Sequence, residues 1–507
     1  MNATLARVPD LAAQHLLLAM AALALGLAVA LPLAIISARR PALARWTLGF
    51  ASFVQTIPSL ALLALFYPLL LALSGLVGGG VPALGFLPAL LALTLYALLP
   101  ILRNGVTGLT GLDPAIIEAA DGVGMTPAQK LRLVEAPLAA PVLMAGIRTA
   151  AVWTIGAATL STTVGQPSLG DMIFSGLQTQ NWSLVLVGCL AAAALALGVD
   201  ALLGVVERGL AMRRRKRVIA ALGVLGAAVL LAFAPVLAPA RPAITIGAKN
   251  FSEQFILARL IGQRLEDAGY AVRYREGLGS AVAFSALAAD DIDVYVDYSG
   301  TIWTNQMRRT DTPPRDAIVA GVSAWAAREH GVRLLGALGF ENAYAFAMKR
   351  EAAARRGIAT LDDLARASPQ LALGSDLEFL DRPEWAAVRD VYAMRFASTR
   401  AYNPSFMYRA VASGRADVIT AFSSDGRIAA QDLAMLEDNR GAIPGYDAVL
   451  LIAPGRADDA RFAAALRPLI GAIPVEAMRE ANYMVDRDAD KRSPAEAARW
   501  LGRWLGP

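Results

Sequence analysis

The sequence predicts an all-α transmembrane domain of about six spans followed by a two-lobed α/β domain. Three observations predict it. Apolar residues make up 56% of the 507 positions, above the usual share for soluble chains. Long, nearly uncharged apolar runs recur up to about residue 237 and then stop. From residue 243 onward, short apolar strands alternate with amphipathic helices in a charged background.

The charge balance follows the same division. Residues 1–240 hold 14 Lys/Arg and 8 Asp/Glu, whereas residues 241–507 hold 33 and 34. The basic excess lies in the membrane half, where it sets orientation, and does not point to nucleic-acid binding. One cysteine, Cys189, leaves no partner for an intrachain disulfide, and with only two histidines no His/Cys metal site is expected. No lysine follows a glycine, so the phosphate-cradling Gly-x-x-x-x-Gly-Lys-Ser/Thr loop is absent from the sequence. Neither ATP hydrolysis nor a cofactor is expected of this chain.

A membrane-crossing helix needs about 20 mostly apolar residues. Six runs qualify: 15–36, 47–73, 82–102, 138–163, 184–206 and 218–238. The first lacks a basic leading segment and a good cleavage site, so it reads as a retained span. Arg39, Arg40 and Arg45 follow the first run. Arg103, Lys130 and Arg132 lie in or beside the loop after the third, and Arg208 with the run 213–217 follows the fifth. Residues 74–81 and 165–183 carry no Lys or Arg. The positive-inside rule then places the basic loops in the cytoplasm and both termini outside. The expected location is the bacterial inner (plasma) membrane, with the C-terminal domain in the periplasm or extracellular space. The 213–217 run also suits contact with anionic lipid.

The cytoplasmic loop 113–137 carries the pattern Glu118-Ala119-Ala120, three residues, Gly124 at the end of the turn, then nine residues before Val134-Glu135-Ala136-Pro137. Pro114 suits the first turn of a short helix, Thr126-Pro127 suits the cap and first turn of a second, and Gly124 permits the turn between them. This pattern resembles the EAA loop of ABC importer permeases, with Ala136 where that family often has Leu. The resemblance implies a type I importer-like permease, with Glu118, Ala119, Ala120 and Gly124 in the element that docks a separate ATPase chain.

Residues 218–242 read as a sixth span ending in a proline-spaced tether, which divides the chain into a permease domain (1–217), this connector, and an extracytoplasmic domain (243–507). In that domain, strands at 244–247, 270–275 and 292–296 enclose helices at 251–267 and 280–289. The order β-α-β-α-β predicts a mostly parallel sheet that binds ligand beyond the C-terminal strand ends. Asn250 is expected to cap the first helix, with Glu253 at the reciprocal position. Stretches 371–373 and 418–419 read as strands of a second lobe, entered near 343–348 and left near 447–453.

The blocks Gly247-Ala248-Lys249-Asn250-Phe251-Ser252-Glu253-Gln254 and Asp293-Val294-Tyr295-Val296-Asp297-Tyr298-Ser299-Gly300-Thr301 come first. Residues 339–345, 378–382, 422–428, 436–438 and 444–446 follow in order. These blocks resemble the substrate-binding proteins for choline, glycine betaine and carnitine. With the permease loop, the joint match resembles osmoprotectant-type ABC importers in which permease and binding protein are fused, relatives of which import ergothioneine. The resemblance implies a periplasmic-binding-protein-like clamp whose ligand residues fall on Gln254, Asp297, Tyr298, Thr301, Asn342, Tyr344 and Phe422, with Arg382 a candidate for a carboxylate. Phe422 stands where choline binders place a tyrosine, which keeps the ring face and loses a hydroxyl, and residues 311–320 contain no aromatic. A quaternary ammonium suits such a site, since ring faces attract diffuse positive charge.

Bland readings stand beside these: Tyr298 and Tyr344 as core aromatics, Gln254 as a solvated helix residue, Asp297 as a turn residue, and Arg382 in a salt bridge with Asp381 or Glu378. Tyr295, Trp303, Phe379, Trp385, Phe406 and Tyr408 are further aromatics near the expected cleft. The expected function is therefore solute capture and permeation for a quaternary-ammonium compound, without enzymatic chemistry in this chain. Expected partners are a separate ATPase, a second copy of the chain, the small cationic solute and the bilayer. A ligand-gated channel or sensory receptor using the same clamp is the rival. A membrane enzyme finds no nucleophile–base pair or metal cluster in the sequence.

Overall fold

A computed structural model describes residues 7–77, 81–179, 181–237, 243–376, 379–402, 404–487 and 489–506. Residues 238–242 of the expected tether, and Glu378, lie outside the described residues. The chain forms two compact units, one of residues 1–174 and 183–240 and one of residues 175–182 and 241–507.

The first unit is helical. Its helices are α1 (Val8–Ala38), α2 (Pro41–Thr56), α3 (Ser59–Leu76), α4 (Phe86–Thr110), α5 (Pro114–Gly122), α6 (Pro127–Lys130), α7 (Ala136–Ala158), α8 (Gly170–Gln178), α9 (Trp182–Ala211) and α10 (Arg215–Leu237). Among the described residues, six helical segments are long and apolar enough to cross a membrane, α6 and α7 counting as one continuous run, so this is a multi-pass membrane protein. The count matches the sequence expectation, but the second span does not. The run 47–73 is broken into α2 and α3 at Ile57-Pro58. Pro58 has no N–H to continue the ladder, and it biases the residue before it away from the helical region. Ile57 is accordingly extended, at φ −72° and ψ 125°.

Close helix contacts rest on small residues. A Cβ on Gly105 of α4 would lie 2.7 Å from Ala34 Cβ of α1, and one on Gly146 of α7 would lie 2.6 Å from the Pro100 carbonyl of α4. Arg148 of α7 pairs with Asp200 at 2.8 Å and Glu207 at 2.7 Å, so three costly charges in spanning helices satisfy one another and tie α7 to α9. The 113–137 loop folds as the short helix α5, a turn, and α6, which runs on helically into α7. Asp113 accepts from Ala115 N–H at 2.9 Å, Thr126 and Gln129 form a capping box, and Gly124 turns the chain at φ +78°.

The second unit has two five-stranded sheets. The first lobe contains β1 (Ala243–Lys249), α11 (Ser252–Asp267), β2 (Ala271–Leu278), α12 (Ser280–Ala288), β3 (Val294–Tyr298), α13 (Arg315–His330) and β4 (Arg333–Glu341). The second contains β5 (Tyr344–Lys349), β6 (Ala372–Ser375), α14 (Pro383–Tyr392), β7 (Ser398–Ala401), β8 (Val418–Phe422) and β9 (Leu433–Leu436). The chain then returns to the first lobe as β10 (Asp447–Ile452), α15 (Val475–Asp486) and α16 (Pro494–Leu505). The orders are β2-β1-β3-β10-β4 and β7-β6-β8-β5-β9. Only β10 and β5, the strands that follow a crossing between lobes, run against their neighbours.

Helix α11 buries Phe255, Ile256, Leu260, Ile261 and Leu265 in the core of the first lobe, each no more than 2% exposed. At roughly 1.5–3 kcal/mol per side chain, this face contributes on the order of 10 kcal/mol. The start of α11 corrects the capping expectation: its N-cap is Phe251, with no side-chain cap bond. Glu253 turns into the domain because stronger partners await it there.

Candidate functional site

Two groups of buried polar and aromatic side chains meet where the lobes join. The first forms at the C-terminal ends of β1 and β3. Asp297 accepts from Tyr295 Oη at 2.6 Å, from Tyr298 N–H at 2.7 Å and from the buried Lys249 ammonium. The Lys249 ammonium lies 5.1 Å from the Tyr298 ring centre, and Phe251 stacks at 6.1 Å. Gln254 is buried: its carbonyl accepts from Lys249 N–H at 3.2 Å and its amide donates to Tyr298 Oη at 3.1 Å. A solvated Gln254 is thus ruled out. Asp297 is the anchor for Lys249 as well as the residue before a turn, and Thr301 is buried in the segment that follows.

Glu253 is the hub of this group, and sequence reading missed it. Its carboxylate accepts from Tyr298 Oη at 2.6 Å, Asn342 Nδ2 at 3.0 Å, Ser424 Oγ at 2.6 Å and Asn482 Nδ2 at 2.7 Å. Burial pushes its pKa above the usual glutamate range, and the four hydrogen bonds oppose that shift without cancelling it. Asn342 begins the crossing between lobes, and its N–H donates to the Tyr446 carbonyl at 3.0 Å. Asn342 Oδ1 and Asn482 Oδ1 are buried acceptors with no hydrogen-bond partner among the described residues.

The second group is aromatic. Tyr344 opens β5 opposite Phe422, the last residue of β8, so the ladder itself brings the two rings to 5.0 Å. Phe379 lies 4.9 Å and Tyr446 6.1 Å from the Tyr344 ring. The Arg382 guanidinium sits 5.2 Å from the centre of that ring. Among the described residues it pairs with Glu384, at 3.1 and 3.2 Å, rather than with Asp381. Glu384 also accepts from Thr304 Oγ1 of the first lobe at 3.1 Å and from Tyr446 Oη. Burial pushes the Glu384 carboxyl up, yet the Arg382 charge and these bonds outweigh it and hold the group below the usual range. A cavity of about 270 Å³ opens beside Glu384, bounded by Thr304 and Asp311 on one side and Pro383 and Asp390 on the other.

The other aromatics separate from this cluster. Trp303 donates to the Asp311 carbonyl and carries Arg309 over its ring. Tyr408 is a core residue beneath Arg427, and Phe406 is 40% exposed. Trp385 lies 5.8 Å from Phe379 and 6.2 Å from Phe396. Glu384 and Tyr446 were missed as site residues, although the Tyr446 motif was legible; no local signal marks Glu384. The arrangement can hold a cation against ring faces and present a guanidinium to an anion.

A helical membrane domain joined to a two-lobed clamp, with an EAA-type loop between spans, defines a class: import subunits that combine permeation with solute capture. Residues 30–212 match the family model described as the binding-protein-dependent transport system inner membrane component, and residues 242–503 match the substrate binding domain of ABC-type glycine betaine transport system. The chain is 30% identical over 480 residues to the ergothioneine transport permease/ergothioneine binding protein of Helicobacter pylori (strain G27), covering 90% of this chain and 83% of that one. It is 42% identical over 197 residues to a choline transport system permease protein of Bacillus subtilis (strain 168), covering 39% and 85%. A crystal structure of a glycine betaine/carnitine/choline ABC transporter aligns at 25% identity over 51% of this chain and 97% of that chain, with a TM-score of 0.46. The chain belongs to the family of fused permease and substrate-binding proteins of osmoprotectant-type ABC importers. The ligand-gated channel reading gains no support from these relatives.

Proposed function

We propose that this chain captures a quaternary-ammonium compound such as glycine betaine, choline, carnitine or ergothioneine outside the membrane and passes it through a pore formed by two copies. A separate ATPase docks on the 113–137 loop of each copy, and the chain does no chemistry on its solute. The observation that carries the reading is the ring cluster of Tyr344, Phe379, Phe422 and Tyr446, whose Tyr344 face already holds a cation, Arg382. A desolvated cation–π contact is worth about 2 kcal/mol. A zwitterionic betaine fits this set doubly: its methylated ammonium takes the ring faces and its carboxylate pairs with Arg382, which Glu384 holds in place. Gln254, Asp297, Tyr298, Thr301 and Asn342 frame the first-lobe wall.

The coupling loop supports the ATPase partner. Glu118 and Ala119 are exposed, Ala120 is packed beneath them, and Ile116, Val123 and Leu133 leave apolar surface uncovered (Val123 is 74% exposed). The basic loops 39–45, 103–132 and 208–217 support this surface facing the cytoplasm and the clamp facing outside. The test is uptake of labelled betaines into vesicles holding the chain and its ATPase. Accumulation that depends on ATP supports import; passage that persists without ATP supports a channel instead.

A further inference from the structure

The break between α2 and α3 brings polar side chains and open backbone together within the membrane-spanning unit. Tyr96, the eleventh of 25 residues of α4, donates its hydroxyl to the Ile57 carbonyl. At 1.5 Å per residue that places Ile57 roughly 15 Å in from one end of α4, near the middle of a ~30 Å hydrocarbon core. Arg103, two turns further along α4, reaches Ser52 of α2 at 3.3 Å, so α2 continues away from that depth along α4.

At this depth the ladder fails. Thr56 Oγ1 turns back to the Phe53 carbonyl at 2.7 Å, and Ile57 N–H bonds to Val54. Pro58 has no N–H, and the Gln55 and Thr56 carbonyls find no donor among the described residues. Gln55 Nε2 is a buried donor without a partner there. Thr56 and Pro58 are exposed in the single copy, and Ile57 and Ser59 are half-buried. Bare carbonyls and an open amide do not face hydrocarbon; non-helical backbone at membrane depth is tolerated where it is buried in protein or lines a watery cavity. The exposure of Thr56 and Pro58 in the single copy suits the cavity. The C-terminal end of α2 also carries partial negative charge, which suits a cation.

We propose that this interruption, residues 55–59, forms part of the wall of the permeation path and meets a positively charged, methylated solute with the carbonyl end of α2. The wall rests on the permease family, and the choice of a cation rests on the reading above. The test uses the full chain with its ATPase in vesicles, with the single cysteine removed as Cys189→Ser. Thr56→Cys and Ser59→Cys are compared with Leu69→Cys, an exposed apolar position on α3. Water-borne methanethiosulfonates carrying either a trimethylammonium or a sulfonate group are the probes. Either polar-site cysteine should be modified much faster than Cys at position 69, and, with each rate divided by that reagent's rate on a free thiol in solution, the cationic reagent should lead the anionic one by about tenfold or more. Modification of both no faster than position 69 overturns the wall. Equal normalised rates for the two reagents overturn the cation preference while leaving the wall. A wrong solute assignment shows instead in uptake, with labelling unchanged.

Discussion

Glu253 Oε2 accepts a hydrogen bond from Ser424 Oγ at 2.6 Å, joining the first turn of α11 in one lobe to the loop after β8 in the other. The same carboxylate collects Tyr298, Asn342 and Asn482, so one buried acidic group ties both lobes and the crossing between them. Glu253→Ala strands four buried polar groups and should destabilise the clamp by about 3 kcal/mol or more. Glu253→Gln should cost less. Hydrogen exchange of α11 in the full chain reads both.

Asp486 gives a pH signature. Burial pushes its carboxyl up to about 6, Asp425 adds to the shift, and Arg427 at 3.8 Å opposes it. A carboxyl raised on folding favours the folded state while protonated. Its contribution is complete below about pH 4 and is lost as pH rises through about 6, amounting to at most about 3 kcal/mol. Unfolding of the clamp followed between those pH values should show this decline, and Asp486→Asn should flatten it. An unchanged slope in the variant would remove Asp486 as its source.

Arg382 and Glu384 should behave as a buried pair. Arg382→Ala leaves a carboxylate that is 1% exposed without its counter-charge, a loss of about 3–5 kcal/mol. Adding Glu384→Gln to that variant should recover part of the loss. Thermal melts of the single and double variants measure the recovery.

Tyr344 separates ring from hydroxyl. If its face receives the solute cation, Tyr344→Ala weakens binding by at least about 1 kcal/mol, and Tyr344→Phe keeps most of the affinity. Equal affinities for all three folded proteins would take Tyr344 out of the site.

Gly124 isolates coupling from capture. Nothing lies within 4 Å of a Cβ built there, so Gly124→Ala meets no clash, but φ +78° costs an alanine about 1–2 kcal/mol. ATP-driven uptake should fall while solute binding stays unchanged. Parallel uptake and binding assays on the same preparation check this.

The fold was legible wherever one periodicity dominated. Long apolar runs gave the spans, and β-α-β alternation gave the first lobe, because burial in lipid or under a sheet writes itself into neighbouring residues. The break at Pro58 was not legible. Pro32, Pro68 and Pro100 all sit inside helices, so proline alone does not decide. What fixes the break is Tyr96, 39 positions away, capturing the freed Ile57 carbonyl. Glu253 misled for a similar reason: Asn250 and Glu253 have capping-box spacing, yet Ser424 and Asn482, 171 and 229 positions on, claim the carboxylate. The aromatic half of the site was read because Tyr344 and Phe422 lie in recognisable blocks. Glu384, held by Thr304 and Tyr446 from the other lobe, belongs to no block, and only the fold brings it in.

Calorimetric titration of the purified full-length chain with choline, glycine betaine, carnitine and ergothioneine tests the central claim most directly. The account predicts saturable binding of at least one of them, weakened when Tyr344 or Phe422 becomes alanine. Silence toward all four from a folded protein that binds an unrelated nutrient tightly would contradict it.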